Sequence, residues 1–227
     1  MKTLRDEGII FHSLNFGDYD KIITIFTIES GLIKLFVRGA NRARTSLHSL
    51  TSPLTKAEFV FSSRKGELHR FHEGKAIDFY QSLRRNLELM NIACSMTRAV
   101  HASQMLGKPA PKLYKLFSLY FDRLSIARAP ENLLSSFYLK ILRHEGIFSL
   151  RNKCSFCQTS SNTIFFFYGE SFCQKHSDKQ AIKLNEQEIA SIQKLAFSRN
   201  FSEMESIEIN KELEEKIHTL FKKQLSK

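Results

Sequence analysis

The sequence predicts an α+β chain: an N-terminal β-barrel followed by an all-helical domain that carries a zinc-finger-like insertion. Three observations predict it. Residues 4–79 alternate short β-branched and aromatic runs with breaks containing Gly, Asn or Asp, which is strand and hairpin patterning. From Tyr80 onward apolar residues recur at helical spacing. Among the helical stretches, residues 153–178 hold three of the chain's four cysteines at spacings of metal-ligand type.

The strands come in order. Gly8–Leu14 is followed by a turn cluster, Asn15-Phe16-Gly17-Asp18-Tyr19-Asp20. Lys21–Ile28 and Gly31–Arg38 are separated only by Glu29-Ser30-Gly31, a hairpin signal. After a polar, basic stretch come Leu54–Ser62 and Glu67–Phe79, joined by Ser63-Arg64-Lys65-Gly66. Five short strands are the number expected of a small barrel such as the OB-fold, although the number alone fits other small β domains. The expected barrel domain is therefore 1–79 and the helical domain 80–227.

In the second region, Tyr80–Leu106 contains neither Gly nor Pro and stops at Gly107-Lys108-Pro109. Lys112–Ile126 puts Leu113, Leu116, Phe117, Tyr120 and Leu124 on one face. Glu131–Glu145 repeats that spacing, with Gly146 as its C-terminal stop. Asn185–Phe197 and Ile209–Leu225 complete the helices, and Thr163–Gly169 predicts a short strand inside the insertion.

Charge narrows the function. The 227 residues carry 34 Lys and Arg against 23 Asp and Glu, a net +11. The excess lies in the first two thirds, with 12 basic and 4 acidic side chains over residues 81–153 alone. Such a surface attracts polyanions. No apolar run approaches the ~18 residues of a membrane span, and the N-terminus lacks the apolar core of a secretory signal. Four cysteines in a chain of this length do not make a disulfide scaffold, so a reduced cytoplasmic protein without a membrane partner is expected. Nucleic acid is the favoured polyanion.

The donors are localised. No acidic residue occurs between Ser30 and Ala57, where Lys34, Arg38, Arg42, Arg44 and Lys56 all fall. Arg38-Gly39-Ala40-Asn41-Arg42-Ala43-Arg44 reads as a loop after a strand, with Gly39 allowing close backbone approach to phosphate. Arg64 and Lys65, in the last hairpin, extend the same set. A second acid-free stretch, Leu89–Phe121, carries Arg98, Lys108, Lys112 and Lys115, and suits either DNA or an acidic peptide. Most aromatics sit at core spacing; Phe16 and Tyr19 are the candidates for exposed base-stacking rings.

Cys154-x-x-Cys157, fifteen residues, then Cys173-x-x-His176 can fold two knuckles around one tetrahedral zinc ion. Four protein ligands leave no position for a reactive water, so the ion would be structural. Cys94, in mid-helix, reads as a small buried apolar residue. Phosphate-loop, dinucleotide, nucleophile-elbow and metalloprotease patterns are all missing from the sequence. Asp18-Tyr19-Asp20 is a turn-shaping pair and not a nuclease site, and His69 and His72 fall on opposite faces of a strand. No catalytic residue is expected, and the chain reads as a non-enzyme.

Asp20–Thr27, Ser30-Gly31-Leu32 and Arg38-Gly39-Ala40 together resemble the N-terminal OB domain of the bacterial recombination mediator RecO family. Phe137–Leu142, leading through Gly146 into Cys154-x-x-Cys157, resembles that family's junction into its zinc-bearing module. The resemblance implies a cytoplasmic, nucleoid-associated DNA-repair protein that binds single- and double-stranded DNA and anneals complementary strands. Its implied partners are RecR, the acidic C-terminal tail of single-stranded DNA-binding protein and, indirectly, RecA. Family DNA contact maps best onto Lys34, Arg38, Arg42 and Arg44, although Asn41 interrupts the basic run that usually follows R-G-A. The fourth metal position is His176 in place of a cysteine. A zinc-ribbon transcription or translation factor is the alternative.

Overall fold

The computed structural model describes residues 2–42, 45–63 and 66–225. The chain forms two compact units, Met1–Ser125 and Ile126–Lys227.

The first unit begins with five strands, β1 (Thr3–Phe16), β2 (Asp20–Thr27), β3 (Gly31–Val37), β4 (Lys56–Ser62) and β5 (Leu68–Asp78), closed in the order β1-β2-β3-β5-β4. All neighbours are antiparallel except β3 and β5, whose parallel register sets Lys34 opposite Leu68 and Phe36 opposite Arg70. This is the OB-type barrel that the strand count predicted. Period-two alternation sends Ile23, Ile25, Ile33, Leu35 and Val37 inward with Phe59, Phe61 and Phe71. A short helix, α1 (Leu47–Leu50), was not foreseen; its Leu50 joins that core.

A bulge in β1 between Ile10 and His12 changes which side of the strand faces the core. Ile10 points into the barrel, while Phe11 packs outside it, 5.4 Å from Phe117. Phe117 belongs to α4 (Pro111–Leu124), and its ring meets Phe121 at 4.6 Å. The expected helix over Tyr80–Leu106 is two helices, α2 (Gln81–Arg84) and α3 (Leu87–Ser103). Asn86 divides them, its side chain accepting from the Glu88 and Leu89 N–H groups as an N-cap. Buried tyrosines tie α4 to the barrel and to the start of α2. Tyr114 donates to Glu7 at 3.0 Å and Tyr80 to Asp122 at 2.6 Å. Burial, with those carboxylates adding to it, pushes both phenols far above their ordinary range.

The second unit is built on α5 (Pro130–His144), against which α6 (Glu186–Phe197), α7 (Phe201–Glu205) and α8 (Lys211–Leu225) pack. Asn132 donates from α5 to the Met204 and Ile207 carbonyls, and Ser136 to that of Leu195. Lys140 and Arg143 donate to Ser198 and Ala196, satisfying carbonyls at the α6 C-terminus. The insertion contributes a sheet ordered β7-β6-β8 from β6 (Thr163–Phe167), β7 (Glu170–Phe172) and β8 (Ile182–Asn185). Asn185 then opens α6 with a capping box to Glu188.

Candidate nucleic-acid interface and metal centre

The loop after β3 is held in shape by the β1–β2 turn. Asp20 Oδ1 accepts from the Gly39 N–H at 2.8 Å, and Asn41 N donates to the Tyr19 carbonyl at 2.9 Å. The Asn41 amide also donates to Asn15 Oδ1 at 2.9 Å. Gly39 sits at φ +71°, where a side chain would be strained, and Arg42 N closes a turn on its carbonyl. Asp20 is therefore a loop-shaping residue.

This pinning brings cations and aromatics together. Arg38 and Arg42 are both exposed, and Arg42 Cζ lies 5.7 Å from the Tyr19 ring centroid. Phe16 and Tyr19 are each 56% exposed, and Phe16 meets Phe36 edge-on at 5.8 Å. A hollow of about 540 Å³ adjoins them, lined by Asp20, Phe36, Arg38, Leu47, Arg70, Phe71 and His72.

Arg70 was missed by sequence reasoning. Alternation about the buried Phe71 places it outward, but its position beside Phe36 and Arg38 depends on the parallel β3–β5 pairing. Lys34 is half-exposed on β3 and paired with Glu67 at 3.3 Å, a solvent-accessible pair that a phosphate can displace.

Lys56 does not join this group. Its side chain is 15% exposed, and the ammonium donates to Ser118 at 2.8 Å and lies 3.5 Å from Glu7 and 3.9 Å from Asp122. Those partners, on β1 and α4, hold it within the unit and away from solvent. Arg44, Arg64 and Lys65 lie outside the described residues. The two strand histidines diverge as expected: His69 stacks on Phe61 at 5.8 Å, while His72 hydrogen-bonds Ser62.

In the insertion, Cys154, Cys157, Cys173 and His176 present ligand atoms that all lie within 4.8 Å of one another. Cys157 Sγ is 3.8 Å from Cys173 Sγ, and His176 Nδ1 is 3.3 Å from Cys173 Sγ and 3.6 Å from Cys154 Sγ. Two thiolates bonded at ~2.3 Å to one tetrahedral ion are separated by ~3.8 Å, so the cluster has the size of a metal tetrahedron. It is the one such cluster among the described residues.

Electrostatics favour anionic sulfur at two of the three thiols, Cys154 and Cys157, whereas burial pushes the Cys173 thiol up. Burial raises the Cys154 thiol, but N–H groups of Cys157, Cys173 and Phe156 and the His176 ring outweigh it, bringing the thiol to about 6. The Thr159 hydroxyl, 3.3 Å away, lowers Cys157. Both knuckles are fixed by main-chain bonds, including Ser155 N to Ser171 O at 2.8 Å and His176 N to Cys173 O at 3.0 Å. Cys94 stands apart in α3 and is half-buried, not fully buried as its spacing suggested.

A closed five-stranded barrel with arginines on its loops, preceding helices that carry a Cys3His cluster, defines an OB-barrel protein with a metal-binding-type module. Comparison with known families makes this specific. The family described as recombination protein O N terminal matches residues 1–80, and recombination protein O C terminal matches residues 84–226. The chain belongs to the recombination protein O family.

It is similar to proteins named DNA repair protein RecO from several bacteria. That of Chlamydia pneumoniae is 28% identical over 216 residues, covering 94% of this chain and 85% of the relative. That of Clostridium perfringens is 28% identical over 207 residues, covering 89% and 82%. That of Caldicellulosiruptor saccharolyticus is 25% identical over 223 residues, covering 97% and 91%. Family membership supports a role in DNA repair and recombination. No helix among the described residues is long and apolar enough to cross a membrane.

Proposed function

We propose that this chain is a non-catalytic recombination mediator of the bacterial cytoplasm. It binds single- and double-stranded DNA, anneals complementary strands and, with RecR, helps load RecA onto DNA coated by single-stranded DNA-binding protein. The observation that carries this reading is the arginine loop pinned to an exposed aromatic turn, within a chain of the recombination protein O family. We assign DNA contact to Lys34, Arg38, Arg42, Arg44, Arg64 and Lys65, with Arg70 added from its place beside Arg38. The functional division follows the sequence, with 1–79 as the DNA-binding barrel and 80–227 as the helical part.

Annealing requires two phosphate chains to approach one another. Arginines that neutralise phosphates release condensed counterions and lower that repulsion. Aromatic faces beside them hold unpaired bases without reading their identity. The acidic tail of single-stranded DNA-binding protein would engage the basic helical stretch, which carries Arg98, Lys108, Lys112 and Lys115. Cys154, Cys157, Cys173 and His176 would hold one structural zinc ion, whose contribution is to the folding of the module.

The test is annealing of two labelled complementary oligonucleotides, bare and precoated with single-stranded DNA-binding protein, across a salt series. Acceleration that persists on coated strands and falls with salt supports the mediator. Binding without annealing, or marked preference for one sequence, favours the zinc-ribbon factor instead.

A further inference from the structure

Phe156 stands between the two ligands of the first knuckle and is 76% exposed. Its backbone N–H serves Cys154 Sγ, a role that any residue except proline would fill, so the cluster does not require a phenyl ring there. The ring leans on His176, 4.5 Å between centroids, and is otherwise turned to water. Two main-chain bonds close the loop that presents it: Cys154 N donates to Thr159 O at 3.0 Å and Gln158 N to Cys154 O at 2.9 Å.

The exposed residues flanking the two knuckles are mostly cationic. Arg151 and Lys153 precede the first knuckle, and Lys175 and Lys179 belong to or follow the second; all four are exposed, against the acids Glu170 and Asp178. Its exposed sequence neighbours, Ser155 and Gln158, are polar. A protein-docking anchor is normally surrounded by contacts that exclude water. An exposed ring on a held loop, flanked in sequence by lysines, instead suits a nucleobase with its flanking phosphates.

We infer that the knuckle tip is a second nucleic-acid contact, where an unpaired base stacks on Phe156 while Lys153 and Lys175 hold neighbouring phosphates. This rests on the reading that the chain binds DNA, and it adds a contact in the second unit to the barrel loops of the first. A paired base is already stacked within its duplex, so this contact selects single strands.

The chain contains no tryptophan, so Phe156→Trp introduces a single fluorescent reporter into the full-length, zinc-loaded protein. Oligothymidylate should quench its emission, and a blunt duplex should not. Phe156→Ala should bind labelled oligothymidylate about tenfold more weakly, as expected for loss of one base stack, with little change for duplex. Unchanged Tm and zinc content would show that both variants are folded. Unquenched emission and unchanged affinity, with anisotropy still reporting binding, would overturn this inference and leave the DNA-binding reading standing. A parent protein that binds neither form of DNA would overturn both. Emission that responds to a partner protein and never to DNA would reassign the ring to protein docking and overturn it too.

Discussion

Arg42 lies over the face of Tyr19, its guanidinium carbon 5.7 Å from the ring centroid. The interaction joins two loops from different strand pairs, and main-chain bonds from Gly39 and Asn41 keep them in register. A cation over a ring is attracted by the ring's quadrupole, which orders the guanidinium without consuming its N–H donors. The arginine is therefore positioned but still available to phosphate.

Reversing charge here should weaken DNA binding without unfolding the barrel, because Arg38 and Arg42 are both exposed. Arg38→Glu with Arg42→Glu is expected to lower single-strand affinity at least tenfold at low salt. The log–log salt slope should fall by ~0.7 for each phosphate that the variant no longer neutralises. Fluorescence anisotropy across a salt series measures both, and an unchanged slope would exclude these residues from the interface.

Lys56→Ala should behave oppositely. Its ammonium serves Ser118, Glu7 and Asp122, so its removal leaves partly buried acceptors short of a partner. The expected outcome is an unfolding free energy in urea lower by about 1–2 kcal/mol, with DNA affinity nearly unchanged. If affinity falls while stability holds, Lys56 contacts DNA after all.

These two cases mark what was legible in the sequence. Strand number, the acid-free arginine loop and the Cys3His spacing were readable because each is written in local order and spacing. The distinction between Lys34 and Lys56 was not, since the partners of Lys56 lie on β1 and α4, far along the chain. Arg70 was hidden for the same reason, its neighbours being set by a parallel pairing of β3 with β5. The helix break at Asn86 was missed because a capping asparagine without Gly or Pro resembles a residue in mid-helix.

Gly31 tests the close packing of the first unit. At φ +70°, with the Lys108 carbonyl oxygen occupying the place where a Cβ would stand, no side chain fits without moving the backbone. Gly31→Ala should therefore destabilise the chain by about 2–4 kcal/mol, from positive-φ strain plus the clash. Urea denaturation checks this, and a change below ~1 kcal/mol would mean that the α3–α4 connection yields easily.

The metal cluster predicts a pH-dependent module. The Cys154 thiol is held at about 6, below its ordinary value, so its thiolate is the favoured form in the fold at neutral pH. A depressed thiol contributes stability above its unfolded value, and that contribution is lost as pH falls through the folded one. Zinc should stay bound at neutral pH and be released in acid, at a pH below the metal-free thiol's about 6, because the bound ion holds its ligands deprotonated until protons outcompete it. Colorimetric zinc release followed against pH measures the midpoint. Cys154→Ser should lower Tm and abolish the zinc-dependent part of the melting curve; a variant that melts like the parent would remove the ion from the folding of the module.

Lys140 supplies a titration of opposite sign. Burial, with Arg143 and Arg199 adding repulsion, lowers its ammonium to about 8. Between about 8 and its ordinary value near 10.5 the unfolded chain binds a proton that the folded chain does not. Stability attributable to this group therefore rises with pH across that window. At neutral pH the charged Lys140 opposes folding, while its hydrogen bond to the Ser198 carbonyl offsets part of that cost. Relative to Lys140→Met, the parent should gain about 1 kcal/mol between pH 7 and pH 9.5, after allowance for solvent screening of a half-buried group. Paired urea denaturation at the two pH values isolates the difference, since every other titrating group is common to both proteins. A parent that loses ground to the variant as pH rises would show that the capping bond to Ser198, and not desolvation, dominates at this position.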